Sequence, residues 1–282
     1  MDSVVAERVG AEVAPVAIGG VALAVRDLDR VAAFYRSALG LAEIGREGDA
    51  VRLGAGEVPF LTLLHRPDLK PRDPATAGLF HVAYLLPTRA DLGRWLQFAE
   101  RSGMSPDGAA DHLVSEAVYL HDPEGNGIEV YADRPRAAWR WKDGQVVMAN
   151  DRLDLMGLQG LATDSWNGAP DGTRIGHVHL QVGEIAAATA FYAGVLGFAV
   201  TRQWPQAAFL STGGYHHHLA ANTWQSAGAG PRDPGRAGLA SVTLRAGSAG
   251  IADAIVARAG GPELRDPWGT QFHLTTLEGS LS

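Results

Sequence analysis

Six residues in this chain are of the types that metal-assisted chemistry needs. His81, His112, Tyr119 and Glu129 stand between Leu79 and Tyr131, on segments that otherwise read as β-strands, and a second stretch from Gly176 to Leu219 adds His177 and His217. Two histidines and a carboxylate on rigid strands are what an open, oxygen-activating iron site requires, and further His and Tyr side chains beside it can handle protons. Glu129 lies between Ile128 and Val130 on a strand that reads as buried. An unpaired carboxylate there would cost several kcal/mol, so it needs a cation.

The elements that position these residues come from internal repetition. Gly20 to Val25 and His177 to Val182 superpose without a gap as apolar strands, and at the same offset Phe34-Tyr35 matches Phe191-Tyr192 and Leu39-Gly40-Leu41 matches Leu196-Gly197-Phe198. Each copy is a strand and then a short helix closed by glycine. Short alternating segments follow, Val51 to Leu53 and Phe60 to Leu64 in one copy, Ala208 to Leu210 and Tyr215 to Ala221 in the other; the unit is βαβββ. A second related pair begins at Gly78 to Tyr84 and Gly238 to Leu244, with Asp122-Pro123-Glu124-Gly125 matching Asp266-Pro267-Trp268-Gly269. The expected fold is α+β, with four βαβββ modules near 18–65, 78–132, 175–224 and 238–276. The expected domains are an N-terminal tail (1–17), a first domain (18–132, modules one and two), a connector (133–174) and a second domain (175–278, modules three and four). A connector of that length is often partly ordered and packs against a site.

Composition excludes several function classes. The chain has 282 residues, 46% hydrophobic and 20% charged, which suits soluble domains with real cores. A net charge of −7 argues against nucleic acid or an anionic membrane as partner. No apolar run approaches a membrane span and no leader is visible, so the cytoplasm is the expected location. Cysteine is absent, so a metal must be held by His, Asp or Glu, which suits Fe(II), Mn(II) or Zn(II).

The Phe-Tyr helix followed by Leu-Gly-Phe, and the turn Asp122 to Gly127 leading into Ile128-Glu129-Val130-Tyr131, resemble the vicinal oxygen chelate superfamily of glyoxalases, bleomycin-resistance proteins and extradiol dioxygenases. The stretches Asp111 to Glu116, Tyr131 to Pro135 and Gly213 to His218 are similar to those of bacterial catechol 2,3-dioxygenases of the short two-domain kind. The resemblance implies two tandem domains of curved mixed sheets that form a metal-binding cup. It implies His81, His177 and Glu129 as ligands of Fe(II), with Mn(II) also accepted by such a set. It further implies Tyr119 and His112 as substrate-binding and acid/base residues. His179, on the same face as His177 by strand alternation, reads as a supporting residue. Aligning the turn at Gly213 with that at Gly125 puts His217 where Glu129 falls in its own module; His217 is then either an acid/base residue or, as in glyoxalases, a fourth ligand. His216 and His218 read as packing or polar surface on the opposite face.

Modules one and four carry Gly20, Ser241 and His273 at the corresponding positions. Modules two and three are therefore expected to combine into one cup, with a dimer-completed site as the fallback. The implied reaction is ring cleavage of a catechol by O₂ beside its hydroxyls, to a 2-hydroxymuconic semialdehyde, against walls drawn from Phe80, Trp204, Phe209 and Trp139 or Trp141. The implied partners are a small aromatic diol and O₂, in a protein that could be a homo-oligomer. The alternatives are a glyoxalase-like isomerase or lyase, a hydroquinone dioxygenase, and a non-catalytic aromatic-binding protein.

Overall fold

The computed structural model describes residues 14–276 and 279–280. Most of the expected tail, and residues 277–278 at the end of the second expected domain, lie outside the described residues. The first module runs β1 (Val16–Val25), α1 (Leu28–Ala38), β2 (Ala42–Glu47), β3 (Ala50–Ala55) and β4 (Val58–His65). The second runs β5 (Gly78–Leu85), α2 (Arg89–Arg101), β6 (Gly108–Asp111), β7 (Ser115–His121) and β8 (Gly127–Asp133). The connector adds a small hairpin, β9 (Trp141–Lys142) with β10 (Gln145–Val146), and a short helix, α3 (Leu155–Gln159). In the third module β11 (Arg174–Gln181) leads to α4 (Ile185–Thr189), a wider π-helical turn at Ala190–Val195, and β12 (Ala199–Trp204), β13 (Ala207–Ser211) and β14 (Leu219–Asn222). The fourth comprises β15 (Gly238–Ala246), α5 (Ala249–Ala259), β16 (Leu264–Arg265) and β17 (Gln271–Thr276), with β18 (Gly279–Ser280) added at the end. This is the α+β architecture of four related modules that the repeats predict, three of them βαβββ and the fourth βαββ within 238–276, extended by β18. No helix among the described residues is long and apolar enough to cross a membrane.

Local chemistry sets the helices. The Asp27 side chain accepts from the Arg30 N–H at the start of α1, and Thr88 does the same for the Asp91 N–H at the start of α2. On α1 the residues Leu28, Val31, Ala32, Tyr35 and Ala38 recur at three- and four-residue spacing and are buried. Tyr35 explains why the Phe-Tyr and Asp-Pro motifs travel together. Its hydroxyl donates to Asp122 in the next module, and the equivalent Tyr192 donates to Asp266 at 2.8 Å. Each aspartate also caps its own turn, Asp122 accepting from the N–H groups of Glu124 and Asn126, and Asp266 from those of Trp268 and Thr270. These bonds tie module one to two and module three to four.

The sheets join the modules differently. One eight-stranded sheet has the path β16-β17-β15-β1-β4-β3-β2, with β18 paired to β17, and combines modules one and four. The other, β12-β13-β14-β11-β5-β8-β7-β6, combines modules two and three, with β5 and β11 antiparallel at its centre. Each is mixed, because β1–β4 and β5–β8 are parallel. One continuous apolar cluster, from Val16 to Phe272, runs between sheets and helices.

Gly127 sits at the tightest point between β5 and β8. A Cβ there would lie 2.0 Å from the Phe80 carbonyl oxygen and 3.1 Å from the His81 Cβ. The variant Gly127→Ala should lose roughly 1–3 kcal/mol of stability in urea unfolding, since both neighbours are backbone or buried side chain. An unchanged unfolding midpoint would contradict this packing.

Candidate metal centre and its cavity

A row of residues crosses four strands of the second sheet. His177 on β11 pairs with Ala83 on β5, Ala83 with Glu129 on β8, and Glu129 with Tyr119 on β7. The next row holds His179 opposite His81, which pairs with Gly127. Residues at these positions share one face. Ala83 and Gly127 are small where the flanking side chains must converge. His81 Nε2 lies 3.0 Å from Glu129 Oε2, and His177 Nε2 lies 3.2 Å from the same oxygen. One donor atom from each of the three residues falls within 4.8 Å of the others, and all three residues are buried. His217 is not part of this cluster.

The three donors fit a divalent cation. Glu129 Oε1 and His81 Nε2 are buried without a hydrogen-bond partner, a state that is expensive for a carboxylate and an imidazole unless something binds them. Two neutral imidazoles and a carboxylate on one side of a cavity are the donor set of open iron sites. Burial alone would raise the Glu129 carboxyl, but the imidazoles of His177 and His81 outweigh it and hold the group well below the usual carboxylate range. Burial pushes His177 down to about 4. At neutral pH the site therefore presents an ionised Glu129 and a neutral His177, the forms that ligate.

Tyr119 and His112 form a second unit. The Nδ1 of His112 faces the Ala149 carbonyl at 2.9 Å, and its Nε2 meets the Tyr119 hydroxyl. A carbonyl only accepts, so Nδ1 carries the proton and the Tyr119 O–H donates to Nε2. Burial and then the Glu129 charge push Tyr119 well above its ordinary value, which keeps it a phenol. A local device places His112: Leu113 adopts φ 68°, its N–H donates to Asp111 Oδ1 at 2.9 Å, and Arg134 holds the other oxygen of Asp111 at 2.6 Å.

A cavity of about 280 Å³ opens over the donors, the small end of the range for ligand pockets. Phe80, Phe209 and Trp204 line it, as the sequence suggests, together with Met148, Asn150 and Trp224. His179 also lines it and accepts from the Asn222 side-chain amide at 3.0 Å. The connector contributes Met148 and Asn150, not its tryptophans: Trp139 is buried in a separate cluster and Trp141 is exposed. A larger cavity of about 340 Å³, lined by Arg66, Arg72, Arg232 and Arg236, holds none of the donors.

His217 lines the cavity and its ring lies tilted against that of His177 with centroids 4.1 Å apart. His216 packs away from the cavity, against Trp139 and Tyr215, so of its expected reading as packing or polar surface only the surface alternative is corrected. It is fully buried, and its nitrogens meet Asp133 Oδ1 at 2.9 Å and His217 Nδ1 at 2.8 Å. Residues 215–218 are not a strand; Gly213 and Gly214 turn the chain with φ of 64° and 70°. His218 also packs away from the cavity, against Phe198 and Tyr215. Asp133 was invisible as a functional candidate because only the turn brings His216 to it.

Four buried histidines make the fold acid-sensitive. Burial pushes His177 to about 4 and His218 to about 3, and lowers His179 and His217 in the same direction. The unfolded chain takes up protons near the ordinary histidine value of about 6.5 while the folded chain does not, so stability falls as pH drops from about 6.5 towards about 4. Thermal unfolding of the metal-free protein should move to lower temperature between about pH 7 and about pH 5. A constant or rising transition would show that these rings are not held neutral.

Comparison with known proteins places the chain in a family. The family model of the glyoxalase/bleomycin resistance protein/dioxygenase superfamily matches residues 17–130 and 174–274. A catechol-2,3-dioxygenase of Bacillus subtilis (strain 168) is 39% identical over 240 residues, 80% of this chain and 81% of that protein. Biphenyl-2,3-diol 1,2-dioxygenase 2 of Rhodococcus globerulus is 35% identical over 65 residues, 23% of this chain and 34% of its own. Among solved structures, glyoxalase I from Zea mays superposes with a TM-score of 0.54 at 16% identity, covering 91% of both chains, which shows a shared fold. The modules, their pairing and these matches together make the chain a member of the glyoxalase/bleomycin resistance protein/dioxygenase superfamily.

Proposed function

We propose that the protein is an Fe(II)- and O₂-dependent extradiol dioxygenase that opens the ring of catechol, or a substituted catechol, beside its hydroxyls to a 2-hydroxymuconic semialdehyde. The observation that carries this reading is the buried set of His81, Glu129 and His177, the three donors that come together among the described residues, beneath a small aromatic-walled cavity. The similarity to a Bacillus subtilis catechol-2,3-dioxygenase over most of both chains supports it. His81, Glu129 and His177 would hold the iron, which would supply the positive charge that favours a catecholate and the means to activate O₂. The same donors accept Mn(II).

The chain's own residues do the remaining work. His217, beside His177 at the cavity wall, takes the proton of a catechol hydroxyl and returns it later to oxygen. Tyr119 stays protonated, and by turning its O–H from His112 Nε2 to a substrate oxygen it donates there as charge develops, which leaves His112 Nε2 free to accept. Phe80, Phe209, Trp204 and Trp224 hold the ring and exclude water. A glyoxalase-like reaction would need His217 as a fourth donor.

Metal analysis of anaerobically purified protein and an oxygen electrode with Fe(II) and a panel of catechols test this. Oxygen uptake with at least one catechol is expected, and its absence with every catechol and hydroquinone would sink the reading. The variant Glu129→Gln should lose both iron and turnover. In contrast, His217→Ala should keep iron and slow turnover by roughly 10²–10⁴-fold; loss of iron would make His217 a ligand.

A further inference from the structure

Asp133, His216 and His217 form a hydrogen-bonded line from the protein surface to the cavity. The Asp133 side chain is 25% exposed, and its Oδ1 lies 2.9 Å from Nε2 of the fully buried His216. The Nδ1 of His216 lies 2.8 Å from the Nδ1 of His217. Beyond it, His217 lines the cavity, and its Nε2 has no hydrogen-bond partner among the described residues.

For a neutral imidazole at His216, the order of donors along this line follows by elimination. A carboxylate only accepts, so the proton of a neutral His216 sits on Nε2. Its Nδ1 is then a bare acceptor, and the short contact with His217 requires His217 Nδ1 to be the donor. A neutral imidazole carries one proton, so Nε2 of His217 is bare. We propose that Asp133 and His216 are positioning residues that hold His217 as the Nδ1–H tautomer and present its bare Nε2 to the substrate. The catalytic meaning of this rests on the dioxygenase reading: a bare Nε2 takes a hydroxyl proton, forming the N–H bond as the substrate O–H bond breaks, whereas an Nε2–H could not. The tautomer itself does not rest on that reading.

The surroundings are built for this line. The Tyr215 ring lies 4.0 Å from that of His216 and Trp139 covers it at 5.1 Å. The Tyr215 hydroxyl donates to Asp133 Oδ1 at 3.2 Å, and the Tyr131 hydroxyl lies 2.9 Å from that of Tyr215. His216 therefore has one orientation, and the Thr201 hydroxyl fixes its backbone by donating to the carbonyl. The connector's Trp139 closes the line rather than the cavity.

Histidine ¹⁵N NMR of the full-length, metal-free protein reads the tautomer directly, with His217 assigned from the His217→Gln variant. A protonated Nδ1 and a bare Nε2 on His217 are expected, and the opposite pattern overturns the proposal. The variant His216→Phe keeps an aromatic ring but offers no acceptor; it should shift His217 away from the Nδ1–H form. With iron content unchanged, it should cut kcat by ~10–100-fold and leave KM within about twofold. In His216→Asn the amide oxygen falls near the former Nδ1, so tautomer and most of kcat should return. An unaltered His217 pattern in His216→Phe also overturns the proposal. If His216→Phe does not fold, Asp133→Leu gives the same reading with His216 in place. Should the wild type show the expected tautomer but take up no oxygen with any catechol, the dioxygenase reading fails and the positioning inference stands.

Discussion

The register at which β5 meets β11 is the constraint on which the rest of this structure depends. Each strand comes from a different half of the chain, and side-chain direction along a strand alternates, so a slip of one residue would turn every histidine on one of them to the other face. Gly176 sits at a bulge in this pairing, which resets the register just before His177. A side chain is not tolerated there, because its Cβ would fall 1.8 Å from the Tyr131 hydroxyl oxygen. Beyond the bulge, His177 faces Ala83, and Ala83 faces Glu129 across the parallel pair. A larger residue than Ala83 would stand between carboxylate and imidazole.

Burial then converts this geometry into chemistry. Glu129, His177 and His217 are almost without solvent, and the neighbouring walls are aromatic. In such surroundings His177 and His217 stay neutral, and the Glu129 carboxylate stays ionised because His177 and His81 face it. The result is one negative charge with two bare or weakly satisfied donor atoms beside it. An arrangement of that kind is costly as it stands and favourable around a cation.

The same sheet explains why only one of the two module pairs carries chemistry. Modules one and four are joined by β1 and β15 much as modules two and three are joined by β11 and β5. In that sheet Gly20 and Ser241 stand on the central strands, His273 is exposed, and the apolar core runs on. The pair serves as scaffold, tied to the other pair by the buried Tyr35–Asp122 and Tyr192–Asp266 hydrogen bonds.

Much of this was legible in the residues themselves. The four modules follow from repeated strands and glycine-closed helices, and the three donors follow from polar groups on strands too apolar to leave them unpaired. Alignment of the glycine turns also placed His217 on the inner face by analogy with Glu129. It gave no sign of the His216 hydrogen bonds to Asp133 and His217, because Gly213 and Gly214 turn the backbone out of the extended form there. The tryptophans of the connector misled: their size suggested a substrate wall, but Trp139 packs on His216 and Trp141 faces solvent. The sequence by itself determined which elements form and which side chains cannot rest unpaired, since both depend on local periodicity and on the cost of burying charge. Only the tertiary structure decided which modules share a sheet, that the donors meet within one chain, and that Asp133 reaches His217 through His216. Those depend on strand register and on contacts between residues far apart in sequence, which no local pattern records.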